Sequence, residues 1–304
     1  MRRHTILVTL VSVGVLAAAV SAWQQPPPER VVQVEKIADN LFVLRGGGGN
    51  TAAFLTAEGV VLVDTKLPGW GQPLLDAVKS ITDKPVTTVI NTHTHFDHTN
   101  GQVEFPPTVA VIAHANTKTY MEQANPVYGL QSGTQPNPFR DAGGRGYPTR
   151  TFTDTLTIGS GAERIDIHHF GRAHTGGDAF IVFPALRVMH VGDVFPAKDL
   201  PIMDINNGGS GVAYPDTLAK AAAVTGVETI INGHTPAQTT IADLKEYAAF
   251  IREFVTTVQA AKKAGRSVDE AVAAWATPAR FQGYAKPNPA RVRADVEVIY
   301  KETP

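Results

Sequence analysis

The stretch His93-Thr94-His95-Phe96-Asp97-His98 decides the reading of this chain, because it sets three imidazoles and a carboxylate within six residues. It follows directly on the β-branched run Val86-Thr87-Thr88-Val89-Ile90, so it begins where a strand ends. Neutral imidazole and carboxylate are donors that borderline divalent ions such as zinc accept. With 10 His among 304 residues, such a cluster arises by chance on the order of 10⁻³ times per chain, so the spacing carries information. Side chains alternate along an extended segment, so His93 and His95 point the same way and can grip one ion. Asp97 and His98 follow where the chain must turn, and can face a second ion nearby. The helical alternative, two histidines four apart as in H-E-x-x-H, does not occur in the sequence.

Two histidines do not complete a site, so further donors must come from later in the chain. Three segments offer them, each a polar residue at the end of an apolar run. They are His174 in Gly171-Arg172-Ala173-His174-Thr175-Gly176-Gly177-Asp178, Asp193 in His190-Val191-Gly192-Asp193, and His234 in Ile230-Ile231-Asn232-Gly233-His234-Thr235.

In this order the motifs resemble the metallo-β-lactamase superfamily: an Asp ending an early strand, H-x-H-x-D-H, a single His, an Asp and a last His. The early Asp is Asp64, after Val60-Val61-Leu62-Val63, and the resemblance covers roughly residues 31–265. It implies an α+β fold, a four-layer αββα sandwich. It also implies one metal on His93, His95 and His174, a second on Asp97, His98 and His234, and Asp193 bridging both. Asp64 becomes a support rather than a ligand. The cofactors implied are two divalent ions, with Zn2+ the first choice and Fe or Mn accepted by the same N/O donors. The chain has no cysteine, so the thiolate of one major lactamase subclass is missing, and Asp193 stands in its place. A bridging Asp resembles the hydroxyacylglutathione hydrolases, lactonases and other general hydrolases, and counts against a dedicated β-lactamase.

The function implied is metal-dependent hydrolysis of an ester, thioester, lactone or amide in a small acyl substrate, by a metal-bound hydroxide. Zinc brings bound water to a pKa of about 7, and Asp97 is the residue to orient the nucleophile and shuttle its proton. Two alternatives stand beside it: an iron-dependent redox member of the same superfamily, and a non-catalytic periplasmic metal-binding accessory protein.

Composition fits a globular enzyme, with 43% apolar and 18% charged residues. A net charge of −1 offers no clustered basic face, which argues against a nucleic-acid partner. Residues 1–22 read as a signal peptide: Met1-Arg2-Arg3, then the uncharged apolar stretch Ile6 to Val20, then Val20-Ser21-Ala22 suited to cleavage. Export to a periplasm, or secretion, follows, with no stable membrane association once the signal is cleaved. Residues 23–30, with three consecutive prolines, form a linker, and 31–304 the hydrolase domain with C-terminal helices. The sequence fixes no oligomeric state.

Strands are predicted through 31–64 and at 86–90, 108–113, 151–158, 163–170, 179–183, 187–191 and 228–232. Helices are predicted from Gln72-Pro73, over Asn116 to Ala124 with Asn116 as cap, and near 215–224, 240–264 and 267–276. Strands followed by alternating helix and strand, twice over, suit two packed sheets with helices outside. The glycines 46–49 read as a flexible hairpin turn, with a substrate flap as the functional reading that the resemblance suggests. Residues 125–150 read as a lid or a disordered insertion. His114, His168 and His190 are expected to pack or hydrogen-bond, His169 and Asp178 to support His174 or to serve the loop, and Lys198, Asn206, Asn207 and Tyr214 to be pocket candidates.

Overall fold

Along β4 (Val60–Val63), Val61 and Val63 face one apolar layer while Val60 and Leu62 face another. This is period-2 alternation in a strand covered on both sides. The computed structural model describes residues 30–130 and 137–304. Among them, such strands build two sheets.

The first sheet runs in the order β1 (Gln33–Ala38), β2 (Leu41–Arg45), β3 (Thr51–Leu55), β4, β5 (Val86–Ile90), β6 (Ala110–His114) and β7 (Arg150–Phe152). Strands β1 to β4 are antiparallel and β4 to β7 parallel. The second sheet contains β8 (Thr155–Ile158), β9 (Ile165–His168), β10 (Phe180–Phe183), β11 (Val188–His190), β12 (Thr229–Ile231) and β13 (Thr239–Thr240), ordered from β13 to β8.

Between the sheets lie Val43, Phe54, Val63 and Ile90 from the first, against Ile167, Ile181, Phe183 and Ile231 from the second. On the outer face of the first sheet, Leu44, Leu62 and Val89 pack against Leu74 and Val78 of α1 (Gly71–Lys79). On the outer face of the second, Phe180, Val182 and Ile230 meet a helical layer. That layer comprises α3 (Tyr214–Ala222), α4 (Ile241–Lys263), α5 (Val268–Ala274) and α6 (Pro289–Glu302). The four layers are therefore helix, sheet, sheet, helix, as the sequence pattern and the resemblance imply.

Several local expectations need correction. The run 151–158 is not one strand: β7 pairs with β6 and β8 with β9, so Thr153-Asp154 carries the chain from one sheet to the other. The helix after β6, α2 (Ala115–Gln123), is capped by the His114 side chain, which accepts from the backbone N–H of Asn116. Helix α6 was not foreseen from the sequence, although Asn288 caps it and Pro289 opens it. The signal peptide of residues 1–22 and nearly all of the linker lie outside the described residues. Among the described residues no helix is long and apolar enough to cross a membrane.

Register places the loops. Val63 pairs with Ile90 across the parallel β4/β5 contact, and His190 with Ile231 across the parallel β11/β12 contact. Asp64 and His93 thus leave the same edge of one sheet, and Asp193 and His234 the same edge of the other; Asp64 directly follows a paired position and the other three lie three residues past one.

Phe183 and Phe54 lie with ring centroids 5.0 Å apart and are buried between the sheets. Truncation Phe183→Ala is expected to cost about 3–5 kcal/mol, whereas removing the helix-α4 cap by Thr240→Ala costs about 1 kcal/mol. Urea unfolding of both variants checks this, and equal losses would contradict the placement of Phe183.

Candidate metal centre

Four loops from both sheets bring the donors to this edge. The loop after β5 brings His93, His95, Asp97 and His98, with the last two on the single helical turn Phe96–Thr99. The β9–β10 connection brings His174, and the loops after β11 and β12 bring Asp193 and His234. Donor atoms of His93, His95, His174 and Asp193 lie within 4.8 Å of one another, as do those of Asp97, His98 and His234. The groups touch through Asp193, whose carboxylate is 3.2 Å from His98 Nε2, 3.2 Å from His234 Nε2 and 3.9 Å from His174 Nε2. All seven residues predicted from the sequence are therefore brought together.

Outer hydrogen bonds set which nitrogen of each buried ring faces inward. His95 Nε2 donates to Asp204 Oδ2 at 2.8 Å, and His174 Nδ1 donates to the Ile202 carbonyl at 2.8 Å. His98 Nδ1 donates to Asp64 Oδ2 at 2.7 Å. The Thr92 hydroxyl gives its proton to Asp64, so its oxygen accepts from His93 Nδ1 at 2.9 Å. In the His93, His95 and His174 rings the remaining nitrogen then carries a lone pair, whereas His98 turns its Nε2 toward the carboxylates of Asp193 and Asp97. His95 Nδ1 and His174 Nε2 point these lone pairs at each other across 3.0 Å. His93 Nε2 is buried with no hydrogen-bond partner, and buried Asp193 Oδ1 has only His98 Nε2 beside it, at 3.2 Å. Facing lone pairs and orphaned buried acceptors are unfavourable unless something electrophilic lies among them. A divalent cation suits this donor set of imidazoles and carboxylates.

Charge is distributed unevenly. Burial first, and then the neighbouring His98, His174 and His95, hold His93 well below the ordinary imidazole range. Burial and His95 push His174 down to about 3. On the other side burial also disfavours charge, yet Asp193, Asp97 and Asp64 together raise His98 well above its ordinary value. Burial works the same way on His234, but its hydrogen bonds to Asp193 and Asp97 push it up to about 9. Against their own burial, Asp97 falls to about 2 and Asp193 well below the carboxylate range, both chiefly through His98. The carboxylates thus make the Asp97–His98–His234 half a strong attractor of positive charge.

The surroundings are closely built. Asp64 spends its oxygens on Thr92 N, Thr92 Oγ1 and His98 Nδ1, so it supports the cluster without entering it. A Cβ on Gly233 would fall 1.7 Å from Asp193 Oδ1, and one on Gly49 would fall 2.2 Å from the His98 ring. The 46–49 turn therefore packs against the cluster rather than swinging free of it. Fully buried Lys66 ties it down, donating to the carbonyls of Leu44 (2.5 Å) and Gly49 (2.6 Å). Burial pushes the Lys66 ammonium down to about 7, against the pull of Asp64. The His234 loop is held by Asn50 Nδ2 on the carbonyls of Asn232 and Thr235. The site opens where His234 remains 48% exposed, into a cavity of about 180 Å³ walled by Pro196, Leu200, Pro201, Ile202 and Arg291.

Other sequence candidates fall elsewhere. Asp178 does not reach the His174 ring; it accepts from the backbone and hydroxyl of Thr175, the loop role. His169 stacks on His114 at 4.0 Å and bonds the Asp178 carbonyl, away from His174. His190 bonds the Asn50 carbonyl, His114 the Thr153 carbonyl, and His168 stacks on Phe170. Tyr214 is a core residue bonded to the Val194 carbonyl. Lys198 reaches the Gln282 carbonyl and Asn206 the Pro126 carbonyl. Asn207 does serve the site, at one remove, by donating to Asp204 Oδ2 at 2.6 Å. Asp204, Lys66 and the Ile202 carbonyl were missed from the sequence. In the 125–150 segment, Tyr128 N donates to Asp204 Oδ1, so this residue braces the cluster.

Comparison with known proteins points the same way. A family model described as the metallo-beta-lactamase superfamily matches residues 44–234. Among solved structures, the metallo-beta-lactamase from Pontibacter korlensis superposes with a TM-score of 0.59 at 17% identity, over 73% of this chain and 99% of that one. FIM-1 from Pseudomonas aeruginosa, in its mono-zinc form, gives a TM-score of 0.59 at 14% identity, over 75% and 97%. These likenesses are of fold. The curated 2,4-dinitroanisole O-demethylase subunit alpha of Nocardioides sp. (strain JS1661) is 25% identical over 169 residues, 54% of this chain and 47% of that protein. The chain thus spans about half the length of that relative.

If Asp204 aims His95, Asp204→Asn is expected to weaken zinc binding by about 10–100-fold, read by competition with a chromophoric chelator. Unchanged affinity would show that His95 needs no such partner.

Proposed function

This chain belongs to the metallo-beta-lactamase superfamily, and from its donor cluster we propose that it is a metal-dependent hydrolase acting on an ester, thioester, lactone or amide. The observation that carries the proposal is the set of inward lone pairs on His93, His95 and His174 beside the Asp193 carboxylate, with His93 Nε2 buried and unpartnered. One cation would be held by His93, His95 and His174, a second by Asp97, His98 and His234, and Asp193 would serve both, with zinc the first choice. Divalent cations held there supply Lewis acidity toward a carbonyl oxygen and lower the pKa of bound water to about 7.

The chain's own residues do the rest. Asp97 Oδ2 lies 3.2 Å from His234 Nε2 and 3.7 Å from His98 Nε2, a position from which it can orient the attacking water and take its proton. Water adds to the carbonyl carbon, the bond to the leaving oxygen, sulfur or nitrogen breaks, and the proton passes to that leaving atom. Asp64, Thr92, Asp204 and the Ile202 carbonyl keep the rings from rotating. The apolar wall of Pro196, Leu200 and Pro201 shields the bound acyl group from solvent.

Iron would be accepted by the same donors, so elemental analysis and a visible spectrum of untreated protein separate the redox alternative. The O-demethylase named above adds an aryl methyl ether to the substrate panel of esters, thioesters, lactones and β-lactams. Turnover of none of these by metal-loaded protein would favour a non-catalytic role.

His95→Ala and Asp193→Ala are each expected to cut hydrolysis by more than about a hundredfold, since even an outer partner of a ligand is worth about 10–100-fold. Metal content should fall with it while the far-UV circular dichroism stays unchanged. Full activity in a metal-depleted His95→Ala sample would refute the proposal.

A further inference from the structure

Arg291 stands out in the wall of the cavity that opens onto the cluster. It lines that cavity together with His174, Asp193 and His234. Its Nη1 is buried and has no hydrogen-bond partner, and its guanidinium forms no ion pair with any described residue within 4.0 Å. The other arginine of this helix turn, Arg293, is paired with Asp269. A buried guanidinium nitrogen without an acceptor is costly, and the planar fork of arginine matches a carboxylate better than it matches water.

The nearest candidate to neutralise it does not do so. Asp295 follows four residues later on α6, and its Oδ2 is likewise buried without a partner. Burial, which favours the neutral acid, pushes Asp295 well above the carboxylate range against the pull of Arg291. No ion pair within 4.0 Å joins the two, so Arg291 has no anionic partner among the described residues. Arg291 also lies on a helix outside residues 44–234, the part that matches the family model.

We propose that Arg291 binds a carboxylate on the substrate, so that the chain selects small acyl compounds bearing an anionic group remote from the scissile carbonyl. This rests on the hydrolase reading above. The substrate would span the cavity, with its carbonyl at the His174–Asp193 end, its methylenes against Leu200 and Pro201, and its carboxylate on the guanidinium. Arg291 is thus a specificity residue that contributes to binding and takes no part in bond cleavage.

The test uses the zinc-loaded full chain and two matched esters, 4-nitrophenyl hydrogen adipate and 4-nitrophenyl hexanoate, which differ by a terminal carboxylate. Wild type is expected to prefer the adipate, and Arg291→Gln to raise its KM by about tenfold or more with kcat nearly unchanged. Hexanoate kinetics should stay as in wild type, which also reports that the variant is folded. Arg291→Lys should recover part of the preference. Equal losses on both esters, or no change on either, would overturn the proposal.

If wild type turns over neither ester, the hydrolase reading fails separately, and calorimetric titration with adipate and hexanoate decides the role of Arg291. Tighter binding of adipate than of hexanoate in wild type, lost in Arg291→Gln, supports it; the same ratio in both proteins overturns it.

Discussion

Each buried imidazole of the cluster has one ring nitrogen committed to a protein acceptor, and that commitment aims the other nitrogen inward. His95 and His174 cannot relieve the encounter by flipping, because Asp204 and the Ile202 carbonyl would lose their donors in a buried setting. His93 and His98 are constrained in the same way through Thr92 and Asp64. The site is therefore electrostatically unsatisfied by construction, and a cation is what satisfies it. Such preorganisation also limits what can bind, since the inward donors are all nitrogen or oxygen.

The sandwich makes this arrangement affordable in folding terms because the donors come from beyond the strand ends, while the strand faces turned between the sheets are apolar. The parallel pairs β4/β5 and β11/β12 deliver Asp64 with His93, and Asp193 with His234, to one edge, while the layer between the sheets remains dry. Loops then carry the polar work. The 46–49 turn, pinned by Lys66, closes over His98, and the 125–150 segment braces Asp204 through Tyr128. The C-terminal helices have a double use: α4 and α6 cover the second sheet, and α6 places Arg291 in the cavity wall.

Much of this was legible in the sequence, for physical reasons. H-x-H-x-D-H is compact, and His174, Asp193 and His234 each end an apolar run, so local spacing exposes them. The β-branched runs around 60–63, 86–90 and 179–183 announce strands without need of partners. Asp204 was invisible because nothing nearby marks it; its role exists only once His95, from 109 positions earlier, folds against it. Lys66 reads as an ordinary lysine after a strand, and only tertiary burial reveals its two carbonyl partners. Asp178 misled because closeness in sequence to His174 suggested contact, whereas the tight turn directs its carboxylate to Thr175. The division of 151–158 depends on which sheet claims each half, which propensity does not encode. Helix α6, by contrast, carried its own signals in Asn288-Pro289 and the spacing of Val292, Val296 and Ile299.

The most direct test of the centre is anomalous diffraction from crystals of the zinc-loaded protein, recorded on both sides of the zinc edge. The account predicts two neighbouring peaks, one enclosed by His93, His95 and His174, the other by Asp97, His98 and His234, with the Asp193 carboxylate between them. No peak at this edge of the sandwich, or zinc held only by residues elsewhere, would contradict it.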